Sequence, residues 1–323
     1  MSVPALPQRP FGKTGETCTA ISFGTNSPGF AGFDRSIETV GRAFDLGIRY
    51  FDTSVMYQSG ASQAILGAAL SGRIQKHLLA TKVGYFKEAR HFRSVGALHV
   101  QLRENLRLLR RDSVDLLQIH EADWDNWWTD RSEVHPWVLF DLQKDYDFVN
   151  APVIQFLCEA KARGLCRHVG ITGNNARHLG RLVRELDELD SVLVAYNCMP
   201  LNVTAHEHVI PFSEAKGMAL IVAGLFTFLF LIPKGWRTEG TYFGKRADHQ
   251  LAQLHELQKD CGIPMVELAL RFVAADNRIS SLLLGACHPT EVEQNLASFA
   301  RGPLPADVQA VVELIARAFE LLN

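Results

Sequence analysis

The 323-residue sequence predicts an α/β protein built as a closed (β/α)8 TIM barrel, and three observations carry that reading. Eight short apolar runs alternate with longer stretches of helical period. Most of the runs lack polar alternation, as strands of a parallel sheet buried on both faces do. No GxGxxG and no GxxxxGK[ST] occurs, so an open dinucleotide-binding sheet is the weaker alternative. A barrel needs ~250 residues and absorbs insertions, so residues 1–323 are read as a single barrel domain.

The runs are TAISF (19–23), RYFD (49–52), LLATK (78–82), VDLLQIH (114–120), RHVGIT (167–172), SVLVAY (191–196), ALIVA (219–223) and SSLLLG (280–285). Amphipathic stretches follow them in turn: Ser36–Leu46, Ala61–Leu70, Ser94–Leu109, Pro152–Ala162, Ala176–Leu186 and Ala205–Ala215. Asp248–Cys261 and Pro264–Ala274 lie between the last two runs, and Pro289–Phe299 and Pro305–Leu322 close the chain. Pro152, Pro264 and Pro289 each stand where a helix would begin, a position at which the missing N–H costs nothing. Before the first run, Gly12-Lys13-Thr14-Gly15 reads as the turn of an N-terminal β-hairpin plugging the barrel. Three longer loops, Thr25–Arg35, Glu121–Ala151 and Phe226–Lys245, all follow strands and so would rise from the C-terminal face, where barrel chemistry is housed.

Hydrophobic residues make up 47% of the chain and charged residues 21%, which supports a large core and excludes disorder. Thirty-three Lys and Arg against 35 Asp and Glu leave a charge of −2, so there is no basic field for nucleic acid. The apolar window Met218–Pro233 is interrupted by Gly224 and is shorter than the ~20 residues a bilayer crossing needs, so no membrane partner is expected. MSVPALPQRP is not read as an export signal, which makes the cytoplasm the expected location and reduced thiols the expected state of the six scattered cysteines. The sequon Asn202-Val203-Thr204 then carries no meaning. No metal site is expected, because the histidines are dispersed without zinc spacing; no GxSxG nucleophile motif is present either. A monomer and a homo-oligomer are both compatible with the sequence.

The candidate chemistry sits at the strand ends. Run 2 ends in Asp52, run 3 in Lys82 and run 4 in His120, and Tyr57 lies five residues past Asp52. Taken singly, Asp52 could cap a helix, Lys82 could pair at the rim, Tyr57 could be a surface ring and His120 a core histidine. Barrel geometry would bring all four to one pocket. Tyrosine titrates near ~10 and exchanges protons poorly at neutral pH unless a positive charge supports its phenolate. A lysine within reach would do so, an aspartate would keep that lysine charged, and a histidine could orient a substrate oxygen. This suits interconversion of an alcohol and a carbonyl, with the hydride coming from a cofactor.

The segments FDTSVMYQSGASQAILGAAL (51–70), ATKVG (80–84), VDLLQIHEAD (114–123), RHVGIT (167–172) and LALRFVAADNRISSLLLGACHPTEVEQNL (268–296) resemble the aldo-keto reductase superfamily in order and spacing over nearly the whole chain. GITG (170–173) is similar to its sugar-oxidising branch, which includes L-galactose and related aldose dehydrogenases. The resemblance implies a small-molecule substrate, NAD or NADP as cofactor, and a catalytic tetrad. Tyr57 would be the general acid/base, Lys82 would lower its pKa, Asp52 would pair with Lys82, and His120 would orient the substrate. Cofactor contacts would come from Gly24, Thr25, Asp52, Thr172, Tyr196, Gly224, Leu225, Gly285, Cys287, Glu291, Gln294 and Asn295. Thr172, Gly173 and Leu193 stand where family members usually carry Ser, Asn and Gln, and Gly224-Leu225-Phe226 followed by TFLFLIP replaces a Ser-Pro-Leu segment. Near the adenosine, Glu291 would repel a 2′-phosphate and His288 is the only cation in sight, so NAD is favoured over NADP.

The loop after run 4 carries Trp124, Trp127, Trp128 and Trp137. Trp124, Trp127 and Trp128 are taken with Tyr57 and His120 as the substrate wall, with Asp123, Asp125 and Asn126 as hydroxyl partners. Two rival readings stand beside the NAD(P)-dependent sugar or polyol oxidoreductase. One is a broad-specificity NADPH-dependent carbonyl reductase. The other is a cofactor-sensing binding subunit like channel auxiliary subunits, against which an intact tetrad argues.

Overall fold

The computed structural model describes residues 5–27, 31–73, 75–226 and 245–318. A two-stranded antiparallel hairpin, β1 (Gln8–Pro10) and β2 (Thr17–Thr19), precedes the barrel. Eight parallel strands then close on themselves: β3 (Ile21–Gly24), β4 (Tyr50–Asp52), β5 (Leu78–Val83), β6 (Val114–Ile119), β7 (Cys166–Gly173), β8 (Ser191–Ala195), β9 (Ala219–Ala223) and β10 (Ser281–Leu284). Neighbours pair in sequence order, and β10 bonds to both β9 and β3, which completes the ring. The first predicted run is divided at Ala20, whose N–H bonds to Pro7 O of the hairpin while its carbonyl receives Leu282 N from β10.

The helices follow the predicted spans closely: α1 (Phe33–Asp45), α2 (Ala61–Ala69), α3 (Val95–Leu109), α4 (Pro152–Ala162) and α5 (Ala176–Glu185). Side-chain caps begin two of them, Ser94 accepting from Ala97 N and Asn175 from Arg177 N and His178 N. The predicted Ala205–Ala215 helix is two short ones, α6 (Ala205–His208) and α7 (Ile210–Ala215). Pro211 explains the break, because it has no N–H to donate and its ring collides with the preceding turn. Then come α8 (Lys245–Cys261), α9 (Met265–Ala274), α10 (Pro289–Ala300) and α11 (Ala306–Arg317). The expected end of the last helix at Leu322 lies outside the described residues, as does nearly all of the Phe226–Lys245 loop with its TFLFLIP segment and most of the apolar window's end.

The barrel has two cores. Between strands and helices, Phe51, Leu79, Leu117, Ile119, Val192 and Val222 pack against the helices. Inside the ring, Tyr50, Leu78, Ala80, Leu116, Leu193, Ile221 and Leu283 form a second cluster with Phe11 and Cys18 of the hairpin. Phe11 meets Tyr50 edge-on at 5.9 Å and Lys13 N bonds to Gly217 O, so the hairpin closes the bottom of the barrel. Gly12 is required there: at φ 56 it presses on β9, and a Cβ would stand 2.5 Å from Ala219 N. The opposite end is left open for a site.

Candidate active site

Strand alternation selects the residues of that open end. Tyr50, Ala80 and Leu116 point into the ring. With a period of two, Asp52, Lys82 and Gln118 lie one step nearer the C-terminal face, and His120 one step beyond Gln118.

Asp52 and Lys82 are both fully buried, and the Lys82 ammonium donates to Asp52 Oδ1. Lys82 Nζ also donates to Thr53 O at 2.9 Å, and Gln118 Nε2 donates to Asp52 Oδ2 at 2.8 Å, so each carboxylate oxygen has its partner. Burial pushes the Asp52 carboxyl up and the Lys82 ammonium down, and each group offsets the other's displacement. Thr25 stands behind this pair rather than in the cleft. Its hydroxyl donates to Asp52 O at 3.1 Å and Ser62 Oγ bonds to it at 2.6 Å, so its cofactor-binding expectation is replaced by a role in holding β4.

Tyr57 enters through a tight turn. Gln58 and Ser59 adopt φ 46 and 53, and Gly60 follows at φ 91 before α2 starts. Lys82 Nζ lies 3.4 Å from Tyr57 OH and 5.0 Å from the centre of its ring. Burial, followed by the charges of Asp52 and Glu121, pushes the phenol well above its ordinary value. Lys82 is shared between Asp52 and the Tyr57 hydroxyl, and together with Asp52 it carries no net charge.

His120 sits edge-on to Tyr57, ring centres 5.7 Å apart, with Tyr85 against its other side at 4.7 Å. Its Nδ1 is 2.9 Å from Ser54 Oγ, which already accepts from Met56 N. With the Ser54 hydroxyl donating to Nδ1, the ring proton stands on Nε2, where it faces the cleft in the arrangement the proposed chemistry uses. Burial, helped by the Lys82 charge, keeps this imidazole well below its ordinary pKa, so it is neutral.

These groups line one end of a cleft of about 860 Å³. From Asp52, Tyr57, Lys82 and His120 it passes Gly24, Thr172, Leu193, Tyr196, Gly224 and Leu225, and reaches Gly285, Cys287, Glu291, Gln294 and Asn295. Its volume, with the polar tetrad and a helix N-terminus both on its lining, suits an extended dinucleotide. Two glycines shape it. Gly224, at φ 77, lies under the Tyr196 ring, where a Cβ would be 2.3 Å from a ring carbon. A Cβ on Gly285 would be 2.6 Å from Ser27 Oγ. Glu291 is the third residue of α10, and its Oε2 accepts from Cys287 N and His288 N in a capping box. The expectation that His288 is the only cation is corrected: Arg301 also lines the cleft, paired with Glu267 at 2.7 Å.

Trp124, Trp127 and Trp128 are not among the lining residues, so the tryptophan wall is corrected. Trp127 is wholly buried; its Nε1 donates to His120 O and Glu121 O and its ring packs on Phe92 at 4.8 Å. Trp128 Nε1 donates to Ala122 O, and Trp124 lies between Tyr85 and Trp137. The ring that lines the cleft is Trp137, 62% exposed. Asp123, Asp125 and Asn126 also serve the loop. Asp123 accepts from Asn174 N and Asn175 N, Asp125 from Arg131 and Thr129, and Asn126 bonds to Glu133 O and His135 N. Sequence reasoning missed Ser54, Tyr85, Gln118, Glu121, Asn174 and Arg301. Alternation from Asp52 and His120 would have found Ser54 and Gln118; nothing local signals Arg301.

Among the described residues, no group of three or more His, Cys, Asp or Glu is placed to hold a metal ion, and no helix is long and apolar enough to cross a membrane. Comparison with known proteins gives one answer. The chain is 27% identical to L-galactose dehydrogenase of Arabidopsis thaliana over 304 residues, 90% of this chain and 87% of that protein. It is 25% identical to pyridoxal 4-dehydrogenase of Microbacterium luteolum, covering 93% and 94%. Its fold is similar to a holo aldo-keto reductase of Bacillus halodurans with a TM-score of 0.74, 22% identity and 97% of each chain covered. The profile of the Aldo/keto reductase family matches residues 20–316, and the chain accordingly belongs to that family and is an NAD(P)-dependent oxidoreductase.

Proposed function

We propose that this enzyme interconverts a hydroxyl and a carbonyl on a sugar or polyol, with Tyr57 moving the proton at the reacting oxygen. The observation that carries the proposal is the Tyr57 hydroxyl, 3.4 Å from Lys82 Nζ with its ring edge-on to His120, on the lining of the cleft. A bound nicotinamide supplies or accepts the hydride, since no side chain can. The chain's own part is acid–base and positional. Tyr57, held protonated by burial, gives its proton to the oxygen of a carbonyl, and takes one back in the reverse direction. Neutral His120, with its proton on Nε2, donates to the same oxygen and fixes its direction. Asp52, Gln118 and Thr53 O hold Lys82 in place below. Sugar or polyol chemistry is supported by the named relatives, among them a plant L-galactose dehydrogenase, and by the polar groups beside His120.

Gly285, Gln294 and Asn295 would hold the adenosine end of the cofactor, with Tyr196 and Thr172 toward the nicotinamide. Glu291 supports NAD, because its carboxylate occupies the helix N-terminus at which a 2′-phosphate would otherwise be stabilised. Arg301 favours the second reading, NADP, since it brings a guanidinium to the same cleft. Titration with NADH and NADPH, read by tryptophan fluorescence, decides between them. Tighter NADH binding and oxidation of aldoses would sustain the first reading; binding of neither nucleotide would remove both.

A further inference from the structure

Next to the tetrad stands an acid that the proposed proton transfer does not use. Glu121 follows His120 directly, is 6% exposed and lines the cleft. Its backbone is in the left-handed region at φ 52, an unfavourable conformation for a non-glycine residue and one that clusters at functional sites. Tyr85, itself at φ 56, donates its hydroxyl to Glu121 Oε1 at 2.5 Å. Glu121 Oε2 has no hydrogen bond of good geometry, although the Asn174 and Trp124 side chains lie near enough to lower the carboxyl's pKa, and no cation pairs with it among the described residues. A buried carboxylate oxygen without a well-made hydrogen bond is costly, and beside the reacting centre it is placed to accept one from a ligand.

From this we infer that Glu121 is a substrate-binding residue, and that its Oε2 accepts a hydroxyl on the carbon adjacent to the reacting one. The inference rests on the proposed alcohol–carbonyl chemistry and narrows its substrate to vicinal hydroxy-carbonyls and diols. Three features support a hydroxyl as the donor. Glu121 is placed by its neighbour His120, so it reaches the part of the substrate beside the oxygen that His120 orients. Trp137 and Tyr85 supply flat apolar faces on the same wall, as suits the C–H faces of a polyol. The third is charge: burial pushes the Glu121 carboxyl up to about 7, so both its forms are present near neutral pH. A hydroxyl both donates and accepts and serves either form; an ammonium serves only the anion.

The test compares reduction of lactaldehyde and propanal, which differ by one hydroxyl at C2, in the wild-type enzyme and in Glu121→Gln. The wild-type kcat/KM ratio should favour lactaldehyde, and the variant should lower that ratio by ~10–100-fold, the worth of one hydrogen bond to a charged acceptor. An unchanged ratio, or equal loss on both aldehydes, would overturn the assignment and leave Glu121 a structural residue. A second measurement needs no variant. Propane-1,2-diol should inhibit the wild-type enzyme at least ~10-fold more tightly than propan-1-ol, and equal inhibition would also overturn it. If the wild-type enzyme turns over neither aldehyde, the proposed chemistry itself falls and takes this inference with it; turnover of both without discrimination removes the inference alone.

Discussion

Glu121→Gln also makes a quantitative prediction about stability. The carboxyl of Glu121 is raised from an ordinary 4.5 to about 7 by burial, with the charge of Asp123 adding to the rise. Between those two values the folded protein holds a proton that the unfolded chain has lost. Stability attached to this group is thus fully present below about pH 4.5 and is lost as the pH rises through about 7. At about 1.4 kcal/mol per pH unit, the loss amounts to about 3 kcal/mol, most of it developing between pH 5 and 8. Glutamine keeps the acceptor for the Tyr85 hydroxyl and never ionises. Its buried N–H adds only a pH-independent term, so the diagnostic is the change in the stability gap rather than its absolute size. Urea unfolding of both proteins at several pH values, followed by tryptophan fluorescence, measures it. The variant should gain on the wild type by about 3 kcal/mol as the pH rises from 4.5 to 8.5. A gap constant to within ~0.5 kcal/mol across that range would show that Glu121 titrates like an exposed glutamate, and the reasoning would fail.

Other expectations follow from the same geometry. Tyr57→Phe removes the proposed proton carrier and little else, so turnover should drop by ~10²–10⁴-fold while cofactor affinity, measured by fluorescence titration, changes less than about twofold. Trp127→Ala should cost about 3–5 kcal/mol in urea unfolding, because the ring is wholly buried on Phe92 and bonded to two carbonyls. Trp137→Ala should leave stability within ~0.5 kcal/mol and raise KM instead; an unchanged KM would take Trp137 out of the substrate wall. Glu291→Arg should move the NADPH-to-NADH affinity ratio up by ~10-fold or more, at a cost of about 1 kcal/mol from the lost cap. A ratio that does not move would show that Glu291 is a cap without a say in cofactor choice.

Most of the scaffold is legible in the sequence because most strands are apolar runs and several helices open on a proline or a side-chain cap. The tetrad is legible for the same reason, since Asp52, Lys82 and His120 terminate runs whose C-terminal ends must meet. The expectations that fail depend on long-range packing. Four tryptophans in one loop look alike by type, yet Trp127 packs on Phe92 and Trp128 on Phe148, both distant in sequence, while Trp137 is exposed. Glu121 reads as an ordinary loop acid until its left-handed backbone turns it into the cleft. Arg301 follows the end of α10, and only the folding of Glu267 against it brings it to the cofactor end.

The electrostatics of the four groups bear on the proposed role of Tyr57. A lysine beside a tyrosine invites the expectation of a phenolate, but Lys82 and Asp52 sum to zero whichever of them holds the proton. What remains near the phenol is acidic. Glu121 raises the Tyr57 pKa, and Asp123, raised to about 6 in full burial, raises Glu121 in turn. The surroundings of the phenol are therefore acidic before any ligand enters, which suits the proposed role of Tyr57 as a proton donor. Two kinds of guest relieve such a site: a substrate that brings hydroxyl donors to Glu121, and a cofactor ring that carries positive charge in its oxidised form. Removing the Glu121 charge relieves it as well, so the substitution that stabilises the fold at alkaline pH also lowers the pKa of Tyr57. On the proposed chemistry, stability and proton transfer are coupled through one carboxyl, the first residue of the loop that carries the tryptophans.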